Sequence, residues 1–313
     1  KGYDFKNTFY QTSFNFKNIS ATVGASWRGG KHQSIDVSLA TAWRPPHVSE
    51  LFSVGTHQSA AAIEYGFLLN DTTNEVMSKE EAGFQTEQAI KLVSTYRKRW
   101  RTLTIEVSPY ANYIFNYIYL RPEGITRNVR GVYPYFRYTQ TNALFLGIDV
   151  TGTLQAGNHL KIIPKASLLK ASDEQSGDYL IFIPSNRFEM AFRYERPVVS
   201  VFRNVYVESK AKYVAQQNRA PAVISVREIQ EAGEEKHGFN PGGSNFDFMA
   251  APPGYWLWDL SAGISIKSNR IQYDVRLASE NTLDEAFREY TNRFRYYADN
   301  PGRNLVLSFK CIF

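Results

Sequence analysis

One cysteine, Cys311, stands in a chain of 313 residues, so no intrachain disulfide is available to staple it. Long apolar runs are missing as well. No stretch reaches the ~18 consecutive apolar residues that would read as a membrane-spanning helix. The opening segment KGYDFKNTFY has none of the apolar core that a signal peptide carries. The expectation is a chain whose leader has been removed, or a piece of a longer one. Neither sign of charge gathers into blocks. The 36 Lys and Arg against 30 Asp and Glu leave a net charge of +6 spread along the sequence, without the concentrated basic patch of a nucleic-acid binder. Signatures of catalysis are absent too. There are five histidines, but no Gly-x-Ser-x-Gly elbow and no His-Glu-x-x-His pair. Acid–base or nucleophilic chemistry needs a base placed beside its partner, and no motif here places one. The expectation is a protein that is not an enzyme.

Aromatic side chains are plentiful: 20 Tyr, 21 Phe and 5 Trp make up 15% of the chain. Many lie on patterns of period two. In the last segment, RNLVLSFKCIF, Leu305, Leu307, Phe309, Cys311 and Phe313 fall on one side and Asn304, Val306, Ser308 and Lys310 on the other. That is the period of a β-strand. Near the other end, Ile19, Ala21, Val23, Ala25 and Trp27 alternate with Ser20, Thr22, Gly24 and Ser26. After a turn at Gly29-Gly30-Lys31, Ile35, Val37, Leu39, Thr41 and Trp43 repeat the pattern. Both strands end on Trp, which suits an interfacial aromatic girdle. A soluble β-sandwich shows the same alternation, and a mean hydropathy of −0.38 looks soluble. Transmembrane barrels nevertheless escape hydropathy, because half of each strand faces water.

In order, strands are expected at Tyr10–Arg28, Ser34–Trp43, Lys79–Tyr96, Arg101–Tyr119, Tyr135–Leu154, His159–Ala171, Asn186–Glu195, Asn204–Gln217, Tyr255–Lys267, Arg270–Ser279 and Arg303–Phe313. The connections alternate in length, short after odd-numbered strands and long after even ones. The long ones are Arg44–Ser78, Asn218–Gly254 and Glu280–Gly302. Transmembrane barrels have this asymmetry, with short periplasmic turns and long extracellular loops. The fold expected is all-β, an antiparallel transmembrane barrel. Bacterial barrels of one chain close with an even number of strands, so about eleven implies part of a larger barrel. The tyrosine-rich run Tyr110–Tyr119 and the pair Trp256/Trp258 read as girdle residues.

Several segments carry a resemblance that alternation does not supply. TAWRPPHVSELFSVGTH resembles the strand-to-loop segment of TonB-dependent outer-membrane transporters, with Arg-x-Pro leading into Glu-Leu-aromatic. SKEEAGFQTE, NYIYLRPEG, YTQTNALFLGIDV, IPSNRF and PPGYWLWDLSAG resemble the strands that follow in that family. ENTLDEAFREYTNRFRYYADNPGRNLVLSFKCIF resembles its C-terminal block. The resemblance runs over almost the whole chain, in order. It implies a 22-stranded barrel with a plug in its lumen, of which residues 1–313 would be the C-terminal part, about eleven strands with the plug domain absent. It also implies a place in the outer membrane of a Gram-negative bacterium, among lipid and lipopolysaccharide. The partners implied are the TonB–ExbB–ExbD complex, acting through the missing plug, and the barrel-assembly machinery, reading the strand that ends at Phe313.

The resemblance further implies uptake of a scarce metal or metal complex through extracellular loops. HVSELFSVGTHQSAAAIEYG looks most like zinc- and haem-uptake members, whose loop carries Gly-x-His. His47 and His57, ten residues apart with Glu64 and Tyr65 nearby, are the candidate ligand-binding residues, and the two histidines are the candidate metal ligands. Imidazole suits Zn²⁺ and haem iron, although the spacing matches no compact metal signature. His237 is a further candidate, whereas His32 and His159 sit in or beside periplasmic turns. For a ferric siderophore, loop aromatics and Arg or Lys would serve. No intrinsic cofactor is expected; zinc, haem or a ferric siderophore would be cargo. Asp284, Arg288, Arg293, Arg295 and Asp299 read as a charge network that stabilises the last long loop. The other classes weighed are an outer-membrane barrel enzyme and a non-transporting adhesin or structural barrel.

Overall fold

The computed structural model describes residues 14–57, 60–70, 75–129, 131–233, 244–268 and 271–312. Among them, strands run in the order β1 (Thr22–Arg28), β2 (Gln33–Arg44), β3 (Val54–His57), β4 (Ala62–Tyr65), β5 (Leu69–Asn70), β6 (Glu75–Val76), β7 (Glu87–Arg99) and β8 (Leu103–Asn128). They continue with β9 (Gly131–Ala156), β10 (Leu160–Asp173), β11 (Arg187–Val199), β12 (Phe202–Val214), β13 (Ala222–Val223), β14 (Phe246–Asp247), β15 (Tyr255–Ser268), β16 (Ile271–Glu280) and β17 (Asn304–Ile312). The long strands form one sheet in the order β1-β2-β7-β8-β9-β10-β11-β12-β15-β16-β17. Every neighbouring pair along it is antiparallel. No helix among the described residues is long and apolar enough to cross a membrane.

The alternation read from the sequence is the alternation of faces. Leu305, Leu307 and Phe309 on β17 are 70%, 73% and 66% exposed. Val23 and Trp27 on β1, Leu39 on β2, Leu92 on β7, Phe192 on β11, Trp256 on β15 and Leu277 on β16 are exposed in the same way. The other face is ionic. Arg28 donates to Asp36 at 2.8 Å and Arg97 Nε to Glu106 at 2.8 Å. Arg193 bridges Glu195 and Glu208 at 3.0 and 3.2 Å, and Lys210 pairs with Asp259 at 2.9 Å. A soluble sheet that left so much apolar area in water would be an aggregation template. On a lipid-facing wall the same distribution is stable.

Two glycines on the polar face make room for rings. Gly147 is directly opposite Tyr110, and Gly263 opposite Tyr206. A Cβ at either position would collide with the facing ring. Each tyrosine therefore lies flat across its neighbour strand, and the Arg193 guanidinium stacks on the Tyr206 ring at 3.9 Å.

Four expectations need correction. Residues 79–86 are not strand: the Ser78–Glu81 capping box starts a short helix, Lys79–Ala82, which Gly83 ends in the left-handed region at φ 66°. Residues 14–21 lie outside any strand, and the start expected at Tyr10 falls outside the described residues. The connection expected between Tyr119 and Tyr135 is strand on both sides, because β8 and β9 continue as a hairpin of 26 residues each. The tyrosine run, finally, does not stay on one face. A bulge between Ile114 and Tyr117, with Asn116 at φ 54°, shifts the phase. Tyr113 and Phe115 remain together on the apolar face, while Tyr117 and Tyr119 turn in against Phe145 and the buried Ala143.

Replacing Gly147 or Gly263 by Val is expected to cost about 1–3 kcal/mol by overpacking, read as a lower urea midpoint of the barrel refolded in detergent. Adding Tyr110→Ala to Gly147→Val should recover most of the loss.

Candidate functional site

The long connections all leave one end of the sheet and pack into a cap. It begins at Pro45-Pro46, which cannot continue the β2 ladder. The His47 imidazole then caps a five-residue helix, Val48–Phe52: Ser49 N donates to Nδ1 at 3.3 Å, and His47 N donates to Glu50 Oε2 at 2.6 Å. Glu50 accepts two bonds from Arg44, at 2.8 and 3.0 Å. Arg44 Nε also pairs with Glu87 at 2.6 Å, and Ile118 N donates to Glu87 at 2.5 Å. The Arg-x-Pro and Glu-Leu-aromatic positions are thus one clamp joining β2, the helix, β7 and β8. Gly66 lets the chain fold back. A Cβ there would sit 2.5 Å from the Leu51 backbone, and Leu68 N donates to Leu51 O at 2.9 Å.

Between helix and fold-back, β3 and β4 form a hairpin in which Gly55 pairs with Glu64 and His57 with Ala62. β4 then joins β9 in parallel, Ile63–Tyr65 against Tyr135–Arg137. This seats Glu64 and Tyr65 in the interior of the cap. Glu64 is 3% exposed and lies 2.5 Å from Arg293 Nη2, with the Arg293 guanidinium 5.3 Å from the Phe136 ring centre. Charge holds this pair: Glu64 Oε1 and Arg293 Nε and Nη2 have no aligned hydrogen-bond partner. Tyr65 packs edge-on to Tyr135 at 5.3 Å, with Arg137 over its ring at 5.9 Å.

The centre of the cap is Arg295, fully buried against the fully buried Asp247. Tyr296 donates to Asp247 Oδ1 at 2.6 Å, and the Arg295 guanidinium lies 4.5 Å from the ring centres of both Tyr290 and Tyr296. Burial first, and the Asp247 charge second, push the Tyr296 hydroxyl well above its ordinary pKa, so it acts as a donor. Arg288 donates to Arg295 O at 2.8 Å and pairs with Asp299 at 2.6 Å. Asp284 accepts from Arg303 N at 2.7 Å. Tyr297 reaches the β3–β4 hairpin, donating to Ala61 O at 2.8 Å. A second network fixes the strand-like segment before Asp247. Tyr119 donates to Asn245 at 2.7 Å, Asn245 N donates to Asp178 at 2.9 Å, and Asn245 Nδ2 donates to Asp173 at 3.2 Å.

The five charged residues expected to brace the last loop therefore do so, and two of them reach other loops. Of the candidate ligand residues, Glu64 and Tyr65 are brought together on β4 but spent on packing. His47 is exposed, with Nδ1 engaged in its cap. His57 is the last residue of β3; its side chain lies outside the described residues, as do His237 and Phe313. No group of three or more His, Cys, Asp or Glu suited to a metal occurs among the described residues. Asp247 and Asn245 went unnoticed in the sequence, where the short alternation Asn245–Phe248 was their one local signal. Phe294 and Tyr297 stay half-exposed.

Comparison with known proteins places this architecture. Residues 1–281 match the family model described as TonB dependent receptor-like, beta-barrel. The chain belongs to that family. It is a family of transport rather than catalysis, and its members are outer-membrane β-barrel proteins of Gram-negative bacteria. No curated protein matches. Among solved structures, the chain is similar to the copper transporter OprC, at 15% identity and a TM-score of 0.63, covering 91% of this chain and 38% of that one. It is similar to the siderophore receptor PirA from Acinetobacter baumannii, at 16% identity and a TM-score of 0.58, covering 93% and 40%. It is also similar to the FrpB iron transporter from Neisseria meningitidis, at 13% identity and a TM-score of 0.56, covering 94% and 39%. The chain spans about two fifths of the length of these structures. At such identities the likeness is one of fold.

Arg295→Met is expected to cost about 3–5 kcal/mol of local stability, since it strands the buried Asp247 charge. Amide exchange in residues 244–254 and 285–299 should quicken while the β10–β12 ladder stays protected. Arg295→Met combined with Asp247→Leu should restore much of that protection.

Proposed function

We propose that this chain is the C-terminal part of the barrel of a TonB-dependent outer-membrane transporter that takes up a scarce metal or metal complex. The observation that carries the reading is the division of the sheet into two unlike ends. One end has short turns; the other gathers every long connection into a cap braced by buried ion pairs. In this reading the cap faces outside and meets the cargo, and the short turns face the periplasm. The plug and the first strands belong to the portion of the protein beyond this chain. Energy comes from TonB–ExbB–ExbD acting on that plug, and the barrel-assembly machinery reads the strand that ends at Phe313. Lipid and lipopolysaccharide cover the exposed apolar band.

The similar structures include a copper transporter, an iron transporter and a siderophore receptor, which supports a metal or its complex as cargo without choosing among them. The histidine content of the loop 44–78 favours zinc or haem. Ligation through His47 Nε2 requires the proton on Nδ1, which then donates to Ser49 Oγ at 2.8 Å in place of accepting from the helix, and His57 lies on the neighbouring hairpin. A ferric siderophore would instead meet the outward aromatics and arginines of the cap.

The test is zinc and haem binding by the full-length protein, with His47→Ala and His57→Ala beside it. Binding by the unaltered protein that falls by about tenfold or more in either variant, the scale of one lost ligand-type contact, places the site in this loop. Binding unchanged by both substitutions rejects the histidines and moves the search to siderophores.

A further inference from the structure

A second candidate site lies at the short-turn end, away from the cap. Four cationic residues and a histidine from two adjoining hairpins line one cavity of about 370 Å³: Arg28, Lys31 and His32 on one, Arg97 and Arg99 on the other. Among the described residues, no carboxylate lines it. Backbone pairing brings these groups together. Arg28 is opposite Ser34, Ser34 is opposite Arg97, and Arg99 is opposite Thr104. Arg99 N donates to His32 O at 2.8 Å, joining the two hairpins. Asp36 and Glu106 each engage one guanidinium, those of Arg28 and Arg97. Among the described residues, no ion pair holds Lys31, His32 or Arg99.

This arrangement attracts a counterion. Like charges held in one concave wall repel, and such a wall concentrates anions from solution. Guanidinium forks beside an ammonium suit the oxygens of a phosphate or carboxylate. The facing decides where the anion comes from. Arg28 and Arg97 stand on the polar face with Asp36 and Glu106, whereas Trp27 is exposed on the apolar face. The cavity is therefore reached from water and not from the hydrocarbon.

We propose that this cavity is a binding site for a free oxyanion of the phosphate class, held chiefly by Arg99 and Lys31 with His32 at its edge. The site is separate from the cap and does not depend on which cargo the cap takes. The test is calorimetric titration of inorganic phosphate into the full-length protein in non-ionic detergent, at low and at high sodium chloride. One saturable site per chain is expected, weakened by salt. Arg99→Gln and Lys31→Gln should each lower affinity by about tenfold, the scale of one charge-assisted hydrogen bond. Both side chains are exposed, so the melting temperature should not move. Lys91→Gln, further along β7, should bind as the unaltered protein does. Absence of saturable phosphate binding overturns the proposal, and so does an equal loss of affinity in Lys91→Gln.

Discussion

Hydrocarbon offers no hydrogen bonds, and that constraint governs the sheet. A strand that crosses a bilayer must satisfy its backbone through its neighbours, so the ladder from β1 to β17 runs antiparallel across every junction. Each strand presents one face to lipid and one to water, and the side chains divide accordingly. Leu, Phe and Trp stand outward, while the inner face carries Arg–Asp, Arg–Glu and Lys–Asp pairs. Interior space is filled locally, as where Tyr110 and Tyr206 lie over glycines on the adjoining strand.

Beyond the hydrocarbon the rule relaxes, and the chain stops behaving as a uniform sheet. β8 and β9 keep pairing above the end of β10 and give the loops a wall to pack on. The clamp of Arg44 on Glu50 and Glu87 fixes how the first long loop leaves its strand. The buried Arg295–Asp247 pair, gripped by Tyr290 and Tyr296, fixes the last one. Charges so deeply buried contribute little net stability over an apolar core, but leaving either one alone is costly. The loops are accordingly committed to one mutual arrangement, on which a recognition surface depends.

Much of the sheet was legible because period two is a local signal. Val23 to Trp27 and Leu305 to Phe309 state their faces within a few residues. What stayed hidden depends on backbone geometry or on distant partners. Nothing local in Tyr110–Tyr119 announces that Asn116 will adopt a positive φ and turn half the tyrosines inward. Ser78 and Glu81 have the spacing of a capping box, a local signal for the helix that stands where a strand was expected. In the cap, Glu64 and Tyr65 were singled out for chemistry beside two histidines, yet Glu64 meets Arg293 and Tyr65 meets Tyr135. Contacts across such separations leave no periodicity. The brace formed by the last loop was legible as a cluster of charges, but not as a contact with Asp247.

In the proposed orientation the capped end of the sheet faces the outside and the short-turn end the periplasm. Single cysteines test it directly in a Cys311→Ala background: Leu283→Cys in the last long loop, 72% exposed, and Val201→Cys in the turn between β11 and β12, 68% exposed. A membrane-impermeant maleimide added to intact cells should label the first and spare the second until the outer membrane is breached. Labelling of Val201→Cys with protection of Leu283→Cys would contradict the orientation, and with it the assignment of the cap as the surface that meets cargo.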